Sequence, residues 1–286
     1  MILRLLLLLL AMLSVLSGCV AQNHAQKKPG SNPSSSSDPQ QPQILQNSAN
    51  SSTPDLADGP ERHLREPHAL SLADLRAKYR TTFILNGPGT KREIALSFDD
   101  APDDNFTPKV LDVLKSEGVK ATFFVVGNRI EKHPDIMKRI VEEGHILGNH
   151  SYNHANLPKL SDAEFREQII KTDQLICEHT GYIPNIVRPP YGNISEDQIK
   201  WLASQKKKVI NWNVDSLDWK GLDAEEVKTN VLAHVSPGAI ILQHSAGGTG
   251  QDLSGTVVAL PEIIRTLKND GVKLVTIPEL LDLNVK

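Results

Sequence analysis

The sequence predicts an α/β fold, a distorted or incomplete (β/α) barrel with about seven parallel strands. Three observations lead there. After Lys91, short apolar runs suited to buried strands alternate with longer stretches of helical periodicity. Strands that alternate with helices build a parallel sheet from βαβ units, because parallel neighbours need a crossover between them. The polar residues able to do chemistry stand directly after the apolar runs, where a barrel places its active-site rim. A doubly wound open sheet is the alternative, since periodicity alone does not close a barrel.

The chain begins with a targeting segment. Arg4 precedes an almost wholly apolar run from Leu5 to Leu16, too short to span a bilayer comfortably, where roughly 20 residues are needed. Residues 1–18 therefore read as a signal peptide. Leu16-Ser17-Gly18-Cys19 resembles the lipobox of bacterial lipoproteins, which implies cleavage before Cys19 and a diacylglycerol on its thiol. With Cys19 acylated, the two cysteines of the chain do not imply a disulfide, and Cys177 reads as a buried helix thiol.

Residues 19–60 are rich in Ser, Asn, Gln and Pro and read as a lipid-anchored, disordered linker. About 40 such residues span on the order of 35 Å end to end, enough to lift a domain above the membrane. Residues 61–90 form an N-terminal extension in which Leu70, Leu72, Leu75 and Tyr79 suit a helix packed on the main domain. Residues 91–286 are that domain. Its expected strands are Ile94–Phe98, Ala121–Val126, His145–Gly148, Asn185–Arg188, Val209–Val214, Ala239–Leu242 and Lys273–Ile277. Its expected helices are Pro108–Glu117, Pro134–Glu143, Asp162–His179, Glu196–Gln205, Ala224–Val235 and Val257–Asn269. Thr107 suits an N-cap ahead of Pro108, and Gly118 suits the C-terminal stop.

A net charge of -3 and the lack of a basic stripe with interleaved aromatics argue against nucleic acid as a partner. Lys206-Lys207-Lys208 is the one dense basic cluster and reads as a solvated helix end. No protein partner is expected.

The chemistry lies in polar residues at five strand ends: Asp99 and Asp100, His150 and His154, Arg188, Asp215 and Asp218, and His244. Two adjacent carboxylates closing an apolar strand are costly unless paired or bound to a cation. A His-x-x-x-His pair is weak evidence alone. With a carboxylate from another strand it supplies two nitrogens and an oxygen, the three-ligand pattern of a catalytic zinc. Iron(II), cobalt or nickel can take the same donors. Asp103 and Asp104 read as loop or helix-start residues. His24, His63, His68, His133, His145, His179 and His234 read as surface or structural.

Five segments occur in order: Ser97-Phe98-Asp99-Asp100, His150-Ser151-Tyr152-Asn153-His154, Arg188-Pro189-Pro190-Tyr191-Gly192, Asp215-Ser216-Leu217-Asp218-Trp219 and Leu242-Gln243-His244. Over roughly residues 91–280 the chain thereby resembles the polysaccharide deacetylases of the NodB-homology type, the family-four carbohydrate esterases. One departure is Ala101, where that family usually has glycine. The resemblance implies that Asp100, His150 and His154 hold a divalent metal, with zinc first and cobalt or nickel as substitutes. It implies Asp99 as general base with Arg188 paired to it and lowering its pKa. It also implies His244 as general acid oriented by Asp218, the Tyr191 backbone N–H as an oxyanion donor, and Trp219 with Leu242 around the acetyl methyl. It leaves Asp215 without a role.

These expectations together describe a metal-dependent hydrolase of acetamide groups on N-acetylglucosamine residues. Placement on the outer face of a bacterial membrane, anchored by lipid and facing the wall, favours peptidoglycan as the N-acetylated partner. Chitin oligomers, poly-N-acetylglucosamine and O-acetylated xylan are the other substrates. The non-enzymatic alternative is a wall-binding lipoprotein on an inactive scaffold. Family members that act on muramic acid often lose the second aspartate of the first motif, and this chain keeps Asp100.

Overall fold

The structure is a computed structural model describing residues 71–284. The signal peptide, the linker and Cys19 lie outside the described residues. Nine strands join one parallel sheet, two more than the periodicity suggested. In chain order they are β1 (Phe83–Ile84), β2 (Glu93–Ala101), β3 (Thr122–Val125), β4 (Ile146–Asn149), β5 (Ile186–Val187), β6 (Lys208–Ile210), β7 (Val214–Asp215), β8 (Ile240–His244) and β9 (Lys273–Val275). Their order is β1-β6-β5-β4-β3-β2-β8-β7, with β9 also paired to β2.

Both extra strands have a physical origin. The run expected as one strand, Val209–Val214, breaks at residues 211–213 into β6 and β7, which lie near opposite ends of the strand order. One kinked segment thus spans the open seam of an incomplete barrel. The other addition is β1, from the segment expected to be an extension. It pairs with β6, and the helix before it, α1 (Leu72–Lys78), buries Leu72 and Leu75 against Phe83, Phe165 and Ile169. Burial of each such side chain contributes about 1.5–3 kcal/mol. The helix expected in this segment thus packs on the main domain.

The remaining helices are α2 (Phe106–Ser116), α3 (Gly127–Lys132), α4 (Pro134–Glu142), α5 (Asp162–Thr180), α6 (Glu196–Ser204), α7 (Ala224–Leu232), α8 (Ser254–Asn269) and α9 (Ile277–Leu281). Four of these, α5, α6, α7 and α9, start with capping boxes at Ser161, Ser195, Asp223 and Thr276. The start of α2 differs from the expected Thr107 cap. Asp103 Oδ1 accepts the N–H groups of Asn105, Phe106 and Thr107, so the helix begins at Phe106. Neither α3 nor α9 was legible from periodicity, being only six and five residues long.

The central strand β2 is buried on both faces, as a parallel strand covered by helices must be. Ile94, Leu96 and Phe98 pack under α2 and α8 in the largest apolar cluster. Cys177 is buried on α5, as expected. His145 is structural. Its Nδ1 accepts the Ala121 N–H at 3.1 Å, and burial pulls its pKa down to about 4. Among the described residues no helix is long and apolar enough to cross a membrane.

Candidate active site

Strand register brings the two acidic residues of β2 to the same place. In a regular strand Asp99 and Asp100 would point to opposite faces. Here the β2–β3 register shifts between Phe98 and Ala101, and Asp100 adopts a left-handed backbone with φ of 69°. Both carboxylates consequently reach His150 Nε2, each at 3.6 Å. Ala101, where glycine was the family norm, keeps a negative φ and is fully buried, so its methyl group imposes no backbone strain.

His150 and His154 sit on the loop after β4, not on a helix. His150 Nδ1 lies 2.7 Å from the Arg188 carbonyl oxygen. A carbonyl only accepts, so Nδ1 carries the proton and the Nε2 lone pair faces the space that it shares with Asp100 Oδ1. Burial, with His154 adding to it, lowers the His150 pKa to about 3, which keeps the ring neutral. His154 Nε2 lies 3.3 Å from Asp100 Oδ1, and its Nδ1 is 3.2 Å from the Tyr191 hydroxyl. The Tyr191 ring also meets the His154 ring edge-on at 4.7 Å. That side-chain role was not expected, because the motif pointed only to the Tyr191 backbone.

These three residues fit a metal ion. One ligand atom from each of Asp100, His150 and His154 can be chosen so that all lie within 4.8 Å of one another. Asp100 Oδ1 is buried without a hydrogen-bond partner, a cost that a cation at this point would relieve. The donor set of two neutral imidazoles and a carboxylate suits zinc and its neighbours.

Two buried pairs flank the triad. Arg188, fully buried, donates from one nitrogen to Asp99 Oδ1 at 2.7 Å and to Ser97 Oγ at 2.9 Å, and from Nε to the Ile210 oxygen at 3.0 Å. Phe124 covers its guanidinium face at 4.0 Å. The sequence suggested that Arg188 would set Asp99 below its ordinary value. Burial outweighs the guanidinium instead, and the Asp99 carboxyl stands above that value. On the neighbouring strand His244, the register partner of Asp99, is held by Asp218. Burial alone would lower the His244 pKa, but Asp218, with Asp100 and Asp99, pushes it up to about 10. Asp218 Oδ2 also accepts from Thr256 Oγ1 at 2.7 Å, a contact no motif signalled.

Leu242 is buried in β8 in register with Ser97, and Trp219 follows Asp218 in a half-buried turn. Asp215 is half-buried at the seam, accepts the Leu217 N–H at 2.8 Å, and has its pKa raised to about 6, chiefly by desolvation. Five of the seven described non-glycine residues with positive φ are Asp100, Ser151, His154, Tyr191 and Leu217. Such backbones cost about 1–3 kcal/mol each and persist only where surrounding contacts hold them. Here these five lie in four of the five motif segments.

Known proteins resemble this chain in sequence and in fold. A family profile described as polysaccharide deacetylase matches residues 86–210. A peptidoglycan-N-acetylglucosamine deacetylase of Bacillus cereus is 49% identical over 203 residues, covering 71% of this chain and 72% of that protein. A solved structure of a peptidoglycan N-acetylglucosamine deacetylase superposes with a TM-score of 0.70 at 46% identity, over 72% of this chain and 96% of the other. A pseudoenzyme of carbohydrate esterase family 4 from Bacillus anthracis superposes at 0.66 with 32% identity, over 75% of this chain and 73% of the other. With relatives this close over most of its length, and with all five motif segments gathered around one site, the chain belongs to the polysaccharide deacetylase family.

Proposed function

We propose that this chain is a divalent-metal-dependent N-deacetylase that hydrolyses acetamides on N-acetylglucosamine residues of peptidoglycan. The observation that carries the reading is the triad itself. Asp100, His150 and His154 converge around an orphaned carboxylate oxygen, with a carboxylate and an imidazole alongside that each have a buried partner. When bound there, a divalent cation, zinc in the first instance, supplies Lewis acidity that eases deprotonation of a water and polarises an acetyl carbonyl.

The chain's own residues then divide the work. Asp99 Oδ1 is engaged by Arg188 while Oδ2 turns toward the triad, so Oδ2 is the oxygen that takes the water proton. His244 Nδ1 is engaged by Asp218, so Nε2 hands a proton to the departing amine. The products are acetate and a free amine. The Tyr191 N–H donates to the oxygen that gains charge, and Trp219 with Leu242 borders the acetyl methyl.

The first test supplies purified chain with N-acetylglucosamine oligomers, peptidoglycan, chitin oligomers and acetylated xylan, with and without chelator. Acetate and amine release from the N-acetylated polymers, lost on chelation and restored by zinc or cobalt, is expected. The similarity to a pseudoenzyme makes an inactive scaffold the second reading, and no release from folded, metal-supplied protein would establish it. The sequence further supports attachment through a lipid on Cys19 to the outer face of the bacterial membrane, with the linker reaching toward the wall.

A further inference from the structure

The loop between the two ligand histidines is held from helix α5. Its successive backbone amides at Ser151, Tyr152 and Asn153 each donate to a side-chain oxygen. Ser151 N–H goes to Asn149 Oδ1 at 2.8 Å, while Tyr152 and Asn153 go to Gln168 Oε1 at 2.9 and 3.1 Å. Asn149 is fully buried and acts as an adaptor. Its amide nitrogen donates to the Ile169 carbonyl at 2.9 Å and to Asp173 Oδ1 at 2.8 Å, both on α5. Asp173 is itself buried and ion-paired with Lys207 Nζ at 2.7 Å. Lys207 belongs to the basic run expected to be solvated, yet it is only 6% exposed.

A buried ion pair is a weak source of stability, because desolvation offsets most of its attraction. Its position here gives it another use. An Asn side chain can turn its oxygen or its nitrogen toward the Ser151 N–H, and only the oxygen serves. Asp173 accepts and never donates while ionised, so it fixes the nitrogen toward α5 and the oxygen toward the loop. Burial pushes the Asp173 carboxyl above its ordinary value, and the Lys207 ammonium beside it opposes that shift.

We infer that Asp173, acting through Asn149, and Gln168, acting directly, are positioning residues that set the loop carrying His150 and His154 for metal binding. The inference rests on the triad being the metal site. Partners of this kind typically change metal affinity or activity by about 10- to 100-fold when removed.

The test is a competitive cobalt titration of the chain with visible absorption, on the wild type, His150→Ala, Gln168→Met, Asp173→Leu/Lys207→Met and Asp173→Asn/Lys207→Met. Gln168→Met and the Leu/Met pair are expected to weaken cobalt binding about 10-fold or more and to alter its absorption bands. The Asn/Met pair keeps an acceptor at position 173 and is expected to recover most of the affinity. Should the Leu/Met pair fail to fold, the half-exposed Gln168 still decides the matter. Wild-type affinity and bands in both Gln168→Met and the Leu/Met pair would overturn the positioning role. A wild type that binds no cobalt, or a His150→Ala variant that binds it equally, would instead sink the metal assignment.

Discussion

Asp218 grips His244 at two points: Oδ1 lies 2.7 Å from the ring Nδ1, and Oδ2 accepts the His244 backbone N–H at 2.7 Å. The carboxylate therefore fixes the imidazole's tautomer and orientation together, and leaves only Nε2 for chemistry. It also keeps the ring charged near neutral pH, the form a proton donor needs.

Asp218→Asn should separate those effects. Turnover is expected to fall by roughly 100-fold or more, with the alkaline limb of the rate profile moving to lower pH. Stability carries a second signature. The His244 pKa is raised in the fold, so its contribution is complete below the unfolded value of about 6.5 and is lost as pH rises through about 10. Thermal melts of chelated protein across that window should decline in the wild type and stay flatter in Asp218→Asn. Parallel melting curves would count against the pairing.

His244→Ala should leave metal binding intact while turnover drops by roughly 100-fold or more. Single-turnover rates measured beside metal content check this, and an unchanged rate constant would remove His244 from the acid role.

His150→Ala removes the neutral nitrogen aimed at Asp100 and should abolish both metal binding and acetate release. Stoichiometric metal together with full activity in that variant would refute the ligand set.

Arg188→Met leaves the Asp99 carboxylate buried without its guanidinium. Removing one partner of a buried pair costs about 3–5 kcal/mol, so urea melts of the chelated chain should show a loss of that order. A change below about 1 kcal/mol would mean that Asp99 stays protonated in the fold.

Cys19→Ser should abolish lipid attachment. Mass spectrometry of the mature N-terminal peptide from the producing cell is expected to show a diacylglycerol thioether in the wild type only. An unmodified or disulfide-linked Cys19 would end the lipoprotein reading.

Much of the fold was legible because its signals are local. The strands Ile94–Phe98 and Ala239–Leu242 are continuous apolar runs, and the helix predicted at Asp162–His179 differs from α5 by one residue at its end. Elements that depend on distant partners were not legible. β1 is two residues long and exists through its pairing with β6, and the kink at residues 211–213 reflects closure of the seam. The same division holds in the site. Asp99, Asp100, His150, His154, Arg188, Asp218 and His244 stand in recognisable motifs, whereas Thr256, Gln168, Asp173 and Lys207 stand in none. They act through hydrogen bonds between residues far apart in the chain.

The sequence by itself determined which side chains are candidates for the chemistry, since the five motif segments and their strand-end placement name them. Tertiary structure alone decided how they are held. The register shift and left-handed backbone at Asp100 turn two adjacent carboxylates to one point, and Gln168 and Asp173 on α5 tie down the loop between two histidines, directly and through Asn149. The physical reason is that hydrogen-bond geometry and desolvation depend on which elements pack together, and strand-end motifs carry no record of that packing.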